Sequence, residues 1–180
     1  MKNLIFLPIE LEIDQTVFDF DIQSLPTFNG LWETKFLNND DLNRPEIKNL
    51  CDQLPFEKIT LIKYNRQSQD IPPHVDVQPF YVREKNEYEH IQNNEPAGYR
   101  IVLSGSADKL EVFDGKIWKT AVLPKVPFAY VLNSTITKHR VIGETGRMSM
   151  YFRGFLDQDK HQKIIEQNLQ KYSDYAIYSQ

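Results

Sequence analysis

Three features are scarce in this sequence, and each scarcity narrows what the protein can be. The chain has one cysteine, Cys51, which excludes an internal disulfide framework and favours a reducing compartment. No stretch is apolar over the length of a membrane span. Residues 4–11 are apolar in places, but Pro8 and Glu10 interrupt them and no small-residue cleavage site follows, so we expect no signal peptide. These absences predict a cytoplasmic protein.

Clustered charge is also missing. Lysine and arginine together number 21, aspartate and glutamate 25, and the net charge of −4 is spread without a block of one sign. Proteins that bind nucleic acids or anionic membranes usually concentrate basic residues on one face or in one run. The composition therefore favours neither a membrane nor a nucleic acid as a partner.

The pattern of apolar residues predicts a mainly β protein in a single domain, residues 1–180. Short β-branched or aromatic runs separated by turn residues predict six or seven strands, which is typical of an antiparallel barrel or sandwich. Asp114-Gly115 is a strong hairpin signal. The predicted strands are 59–64, 75–82, 99–103, 110–113, 116–122, 128–132 and 147–155.

Two helices are predicted to flank these strands. Asn39-Asp40-Asp41 supplies capping residues for a helix that Pro55 closes, with Cys51 on its buried side. Residues 157–172 form an amphipathic pattern that could brace one sheet. Between two predicted strands, the polar segment 83–96 is either a solvated surface loop or a lid beside a site.

The tripeptide His74-Val75-Asp76 is the most informative motif. On an extended strand, His74 and Asp76 point to the same face. By itself such a tripeptide is more often a surface histidine beside an aspartate. Of the other histidines, His90 falls in the polar loop and His161 in the C-terminal helix, which leaves His139 as the natural third ligand. Two histidines and a carboxylate leave open positions on iron(II) for oxygen chemistry.

A second group of polar residues follows His139. On the predicted strand 147–155, Arg147 and Ser149 share one face with Tyr151 and Arg153, while the other face is apolar and would pack against a helix. Arginine can bind a carboxylate through two hydrogen bonds, and serine can add another. The alternative for Arg147 is a surface salt bridge. If the histidine strand and this strand form a hairpin, pairing His139 with Ser149 brings Arg147 to the same interior.

The ordered set of motifs resembles the 2-oxoglutarate and iron(II)-dependent oxygenases, and is most similar to their aspartyl/asparaginyl β-hydroxylase-like group. The resemblance covers residues 59–155, a β core between an N-terminal segment and a C-terminal helix. Its motifs are His74-Val75-Asp76, Tyr99-Arg100-Ile101-Val102-Leu103, Phe128-Ala129-Tyr130-Val131-Leu132, His139-Arg140-Val141 and Gly146-Arg147-Met148-Ser149.

This resemblance implies a double-stranded β-helix, the jelly-roll or cupin-like fold. It implies that His74, Asp76 and His139 bind Fe(II), and that Arg147 and Ser149 hold the distal carboxylate of 2-oxoglutarate. Arg100 lies where some members place another cosubstrate-binding arginine. The implied reaction hydroxylates a C–H bond of an amino acid or a protein residue and releases succinate and carbon dioxide.

Two other functions remain compatible with the motifs. A cupin-like protein could bind a metal or a sugar without oxygen chemistry, but it would give Arg147 no role. A degenerate jelly roll could serve only as an interaction module, but then nothing would explain why three metal-binding residues are present. The sequence does not identify the substrate.

Overall fold

Strands make up most of the structure, a computed structural model that describes residues 3–14, 27–28, 32–76 and 98–180. Its strands are β1 (Leu4–Ile9), β2 (Thr27–Phe28), β3 (Trp32–Phe36), β4 (Phe56–Gln67), β5 (Ile71–His74), β6 (Gly98–Ser104), β7 (Leu110–Phe113), β8 (Trp118–Ala121), β9 (Phe128–Leu132), β10 (His139–Val141), β11 (Met148–Leu156) and β12 (Ile177–Tyr178). The helices are α1 (Asn39–Leu42), α2 (Pro45–Gln53) and α3 (Gln158–Tyr172), and a 3₁₀ turn spans Ser173–Tyr175.

The described strands form two antiparallel sheets. The large sheet has the order β12-β1-β9-β6-β11-β4-β3-β2, and the small sheet has the order β5-β10-β7-β8. From β4 to β11 the chain passes back and forth between them: β4, β6, β9 and β11 belong to the large sheet, and β5, β7, β8 and β10 to the small one. Four strands in each of two facing sheets form a double-stranded β-helix, so the predicted fold class is confirmed.

Two apolar clusters, one on each face of the large sheet, hold these layers together. Between the sheets, Val102 and Phe128 of the large sheet pack with Val112 and Val141 of the small sheet. On the outer face, side chains of β4, β6, β9 and β11 pack with α2 and with Ile165 of α3. Alternate residues of a strand face opposite sides of its sheet, so β11 directs some side chains between the sheets and others towards the helices. The predicted apolar face of β11 lies on the helix side.

The strand predictions hold best where turn residues bound a short apolar run. β7 and β9 have the predicted limits, and β6 and β11 differ from them by one residue at each end. The Asp114-Gly115 hairpin joins β7 to β8, with Gly115 at a φ of 108°. Its loop is longer than two residues because the Asp114 carboxylate accepts hydrogen bonds from the backbone N–H groups of Lys116 and Ile117. These bonds hold residues 116 and 117, which were predicted to begin the strand, in the turn before β8.

The first predicted helix is two helices, which corrects the sequence analysis. Asn38 caps α1, and the chain leaves the helix before Pro45, the first residue of α2. Arg44 is extended, with φ −65° and ψ 132°, because a residue before proline avoids the helical region. Cys51 lies on α2, as predicted, but it is partly rather than fully buried. Burial raises the pKa of its thiol to about 11. The C-terminal helix agrees with prediction, and Asp157 caps it.

The predicted hairpin between the strands of His139 and Arg147 is wrong. β10 pairs with β5 and β7 in the small sheet, whereas β11 pairs with β4 and β6 in the large sheet. The register test that paired His139 with Ser149 therefore does not apply. The two strands instead face each other across the interior, which brings their polar side chains together without a shared ladder.

The large sheet also includes strands that no sequence motif predicted. β1 pairs with β9, β3 pairs with β4, and β12 closes the edge beside β1. Asn168 of α3 accepts a hydrogen bond from the backbone N–H of Glu10, 2.8 Å away, which ties the helix to the end of β1.

Two further predictions concern the segment around the metal motif. The strand β5 ends at His74, just before the strand predicted at 75–82, of which only Val75 and Asp76 are described and neither is in a strand. Pro72 and Pro73 fit β5 because it is an edge strand, where no ladder N–H is needed. Residues 77–82 and the polar segment 83–96 lie outside the described residues. In the described part of the chain, none of the helices combines the length and apolar character that crossing a membrane requires.

Candidate metal centre

A cleft between the two sheets contains all six residues that the sequence analysis assigned to a site. It contains about 670 Å³ of empty space, part of which is open to solvent. The large sheet contributes Lys63, Asn65, Gln67, Arg100, Tyr130, Arg147, Ser149 and Tyr151. The small sheet and the segment after β5 contribute Ile71, His74, Asp76, His139 and Val141.

His74, Asp76 and His139 form a cluster in which one potential ligand atom of each lies within 4.8 Å of the others. The two histidines are partners across the β5–β10 ladder, and their ring centroids are 4.3 Å apart. Asp76 follows β5 and is anchored by its backbone N–H, which donates to the Ser134 carbonyl at 2.8 Å. Its Oδ1 lies 3.7 Å from His74 Nε2 and 3.8 Å from His139 Nε2.

The backbone assigns the same tautomer to both histidines. His74 Nδ1 lies 2.8 Å from the Pro72 carbonyl, and His139 Nδ1 lies 3.2 Å from the Thr137 carbonyl. A carbonyl oxygen only accepts, so each Nδ1 carries the hydrogen and each Nε2 presents its lone pair towards Asp76. Metal-binding histidines are commonly oriented by such a bond from the other ring nitrogen.

The protonation states of the cluster also suit a metal. Burial, together with the charge of Arg100, lowers the pKa of His139 to about 3. Burial is the largest single influence and opposes ionisation of Asp76, but the neighbouring groups, of which Arg100 contributes most, together outweigh it and lower the pKa of Asp76 below its ordinary value. At neutral pH the cluster therefore offers a neutral imidazole and an ionised carboxylate, the forms in which these groups bind metals.

One atom of the cluster needs a partner that the described residues do not supply. His139 is 2% exposed, and its Nε2 is buried without a hydrogen bond to any described residue. A buried polar atom left unpaired costs about 1–3 kcal/mol, so such atoms call for an explanation. Two imidazole nitrogens and one carboxylate oxygen, converging on one point, fit a divalent transition metal.

Arg100 has a position that the sequence could not reveal. Its guanidinium forms an ion pair with Asp76 through Oδ2, while Oδ1 faces the histidines. The contact joins β6 to the segment after β5, and no spacing along the chain predicts it. Arg100 Nε is buried without a hydrogen bond within the described structure, so a role towards a cosubstrate stays a prediction.

Arg147 also lines the cleft, and backbone hydrogen bonds to the end of β4 hold the segment around it. The Gln67 backbone N–H donates to the Arg147 carbonyl at 2.9 Å, and the Gly146 N–H donates to the Gln67 carbonyl at 2.7 Å. Glycine suits position 146 because its φ is 77°. Arg147 is 7% exposed, with Nε 3.8 Å from Glu144 Oε2 and without a hydrogen bond in the described residues. The buried guanidinium therefore has at least one hydrogen-bond donor, the Nε–H group, that the described residues do not use.

Comparison with known proteins shows only a distant likeness to solved structures. No protein-family model matches the chain, and no curated protein matches it. A solved structure that is similar is the crystal structure of an oxidoreductase of the 2OG-Fe(II) oxygenase family from Burkholderia pseudomallei. The identity is 13%, the match covers 77% of this chain and 76% of that one, and the TM-score is 0.45. A likeness at this level does not establish a family, so function has to be inferred from the cleft itself.

Proposed function

We propose that this protein is a 2-oxoglutarate- and Fe(II)-dependent dioxygenase that hydroxylates a C–H bond of an amino acid or a protein residue. In the balanced reaction, the substrate, dioxygen and 2-oxoglutarate give the hydroxylated product, succinate and carbon dioxide. One observation carries the proposal: a cluster of two histidines and a carboxylate shares a cleft with Arg147, a buried arginine whose Nε makes no hydrogen bond to a described residue.

In this proposal His74, Asp76 and His139 bind the iron. The carbonyls of Pro72 and Thr137 fix the orientation of the two imidazoles, and Arg100 holds Oδ2 of Asp76 so that Oδ1 is the ligand atom. Bound iron(II) and 2-oxoglutarate supply the oxygen activation, through oxidative decarboxylation of the keto acid. The protein supplies orientation and a cleft that limits the access of water.

Arg147 and Ser149 are proposed to bind the far carboxylate of 2-oxoglutarate. Arg147 directly precedes β11 and Ser149 lies on it two residues later, and both line the same cleft. A buried guanidinium binds a carboxylate through charge-assisted hydrogen bonds, which are worth about 1.5–3 kcal/mol each. A cupin-like metal- or sugar-binding protein would use the same metal cluster, but it would leave the buried charge of Arg147 without a function.

Succinate formation tests this function. The protein would be incubated with Fe(II), 2-oxoglutarate and oxygen over a panel of amino acids and peptides. We expect succinate to form, and we expect Arg147→Met to raise the KM for 2-oxoglutarate by about tenfold or more. Arg66→Met is a matched control, because Arg66 lies on the other face of β4 and pairs with Glu33. An absence of succinate over the whole panel, or equal KM values for the two variants, would contradict the proposal.

A further inference from the structure

A second group of basic residues lines the cleft, away from Arg147. Lys63 on β4, Tyr151 on β11 and Arg100 on β6 form one row across three neighbouring strands, since Tyr151 is the ladder partner of both basic residues. Arg153 lies two residues further along β11, on the same face as Tyr151. The guanidinium groups of Arg100 and Arg153 lie 4.9 and 5.1 Å from the centre of the Tyr151 ring, and the Lys63 amine lies 5.0 Å from it.

The anions of the described structure do not balance these cations. Arg100 is paired with Asp76, and Arg153 lies 3.9 Å from the same carboxylate. Lys63 has no ion pair within 4 Å among the described residues. Burial lowers the pKa of Lys63 to about 8, although the charge of Asp76 acts to raise it. Near neutral pH the amine is therefore still largely charged, in a place where losing water is costly.

Occupation of the site by iron and cosubstrate does not remove this excess. The two charges of 2-oxoglutarate offset those of Fe(II), and Glu144 lies near Arg147 to offset its charge. Asp76 then offsets one of the three cations Lys63, Arg100 and Arg153. Two positive charges remain without a counterion among the described residues of the cleft. A hydrogen-bond donor accompanies them: the buried Tyr151 hydroxyl can accept from Arg153, which only donates, and this leaves its own O–H group free to donate.

The cosubstrate cannot serve both basic groups. Tyr151 is four residues from Arg147 on β11, about 13 Å along an extended strand. That distance exceeds the length of a five-carbon keto acid whose other end is at the metal. The row of Lys63 and Tyr151 is therefore available to a different anion, beside the metal ligand Asp76.

We propose that Lys63, Tyr151 and Arg153 bind a carboxylate of the substrate, so that the substrate of this enzyme carries at least one carboxylate group. The inference rests on the proposed function, because it needs Arg147 to be occupied by the cosubstrate. Two sources of the carboxylate fit the same chemistry: the α-carboxylate of a free amino acid, and the side-chain carboxylate of an acidic residue in a peptide. Binding there would hold the reacting C–H bond of the substrate close to the metal.

Four matched ligands test the proposal and separate its two sources. N-acetyl-L-aspartate has both carboxylates, N-acetyl-L-asparagine keeps only the α-carboxylate, N-acetyl-L-aspartic acid α-amide keeps only the β-carboxylate, and N-acetyl-L-asparagine amide has neither. Each would be titrated under anaerobic conditions into the full chain carrying Fe(II) and 2-oxoglutarate, with perturbation of the visible band of the chelate as the readout. We expect at least one singly charged ligand to bind about tenfold more tightly than the uncharged one.

Variants show whether the preference comes from the proposed residues. Lys63→Met and Arg153→Met should each remove most of the preference while leaving the affinity for 2-oxoglutarate unchanged within about twofold, and Lys63→Arg should retain it. Lys116→Met, which changes an exposed lysine in the β7–β8 turn, is the control and should behave as the wild type.

The outcomes separate this inference from the proposed function. Loss of the chelate band in the unchanged protein would reject the oxygenase itself. A normal band with equal binding of charged and uncharged ligands would reject only the anion subsite. A charge preference that survives both Lys63→Met and Arg153→Met would also reject it.

Discussion

Two buried histidines in different parts of this protein illustrate how a ligand site differs from a structural contact. His139 on β10 is 2% exposed and His161 on α3 is 3% exposed. Burial lowers the pKa of both, to about 3 and about 4. His161 Nδ1 lies 2.6 Å from the hydroxyl of Tyr99, which can donate to it. His139 donates from Nδ1 to a backbone carbonyl, and its Nε2 has no hydrogen-bond partner in the described residues.

Burial and a lowered pKa therefore do not separate the two roles. The difference lies in the lone pair: that of His161 is satisfied by a neighbour from β6, whereas that of His139 points towards Asp76 and a second imidazole. We infer that His161 joins α3 to the large sheet and that His139 binds a metal. Each of the following predictions tests one side of this contrast.

The largest expected effect is on metal affinity. His139→Ala removes one of three protein ligands and should weaken the binding of Fe(II) by roughly 1,000-fold, or about 4 kcal/mol. His161→Gln keeps an acceptor for Tyr99 and should leave metal affinity unchanged. Calorimetric titration of both variants under anaerobic conditions measures the effect. Equal metal affinities for the two variants would remove the distinction between the histidines.

Acid should weaken the contact of His161. The unfolded chain takes up a proton at this residue near its ordinary pKa of 6.5, whereas the folded protein resists protonation down to about pH 4. The unfolded state thus binds more protons between these values. The contribution of His161 to the free energy of unfolding is fully present above pH 6.5. As the pH falls towards 4, about 3 kcal/mol of this free energy is lost.

Urea unfolding as a function of pH measures this loss. His161→Gln should flatten the dependence of the unfolding free energy on pH between 4 and 6.5, compared with the wild type. Some dependence should remain, because the pKa of His139 is lowered as well. An unaltered slope in His161→Gln would mean that another group governs acid stability.

Replacing Arg100 tests whether its ion pair with Asp76 strengthens metal binding. Arg100→Met frees Oδ2 of Asp76 and should weaken metal binding by about 10–100-fold, as is typical when a residue that orients a ligand is lost. Because the charge of Arg100 holds the pKa of Asp76 down, the variant should also lose metal at a higher pH than the wild type. Metal titrations at several pH values, with Arg66→Met as the control, would detect both changes. Identical pH profiles would contradict this role.

The smallest effect is expected at the N-terminus of α3. The Asp157 side chain accepts a hydrogen bond from the backbone N–H of Lys160 at 2.9 Å, and Asp157→Ala should cost about 1 kcal/mol of unfolding free energy. Thermal denaturation measures this cost. Metal affinity should not change, since the cap lies on the helix side of the large sheet. Weaker metal binding in Asp157→Ala would show that the two regions are coupled.

The sequence predicted the local features of this protein better than its long-range ones. Short apolar runs bounded by turn residues correctly predicted the limits of β7 and β9, and the amphipathic pattern of residues 157–172 correctly predicted α3. The six predicted site residues line one cleft, because each motif lies on or just after a strand whose alternation is visible in the sequence.

Long-range contacts were not predictable because they depend on how the sheets pair. The sequence placed His139 and Arg147 on neighbouring strands of a hairpin, but β10 and β11 belong to opposite sheets. β1 offers apolar residues without a turn signal, so its pairing with β9 could not be read locally. The ion pair of Arg100 with Asp76 joins residues that meet only when the two layers close.

Anaerobic titration with Fe(II) and 2-oxoglutarate tests the central claim most directly. The chelate of these two components in a site of two histidines and a carboxylate gives a weak visible absorption band. We predict one such chelate per chain in the wild type and in His161→Gln, and none in His139→Ala. Absence of the band in the wild type, or its persistence in His139→Ala, would contradict the assignment of His74, Asp76 and His139 as the iron site.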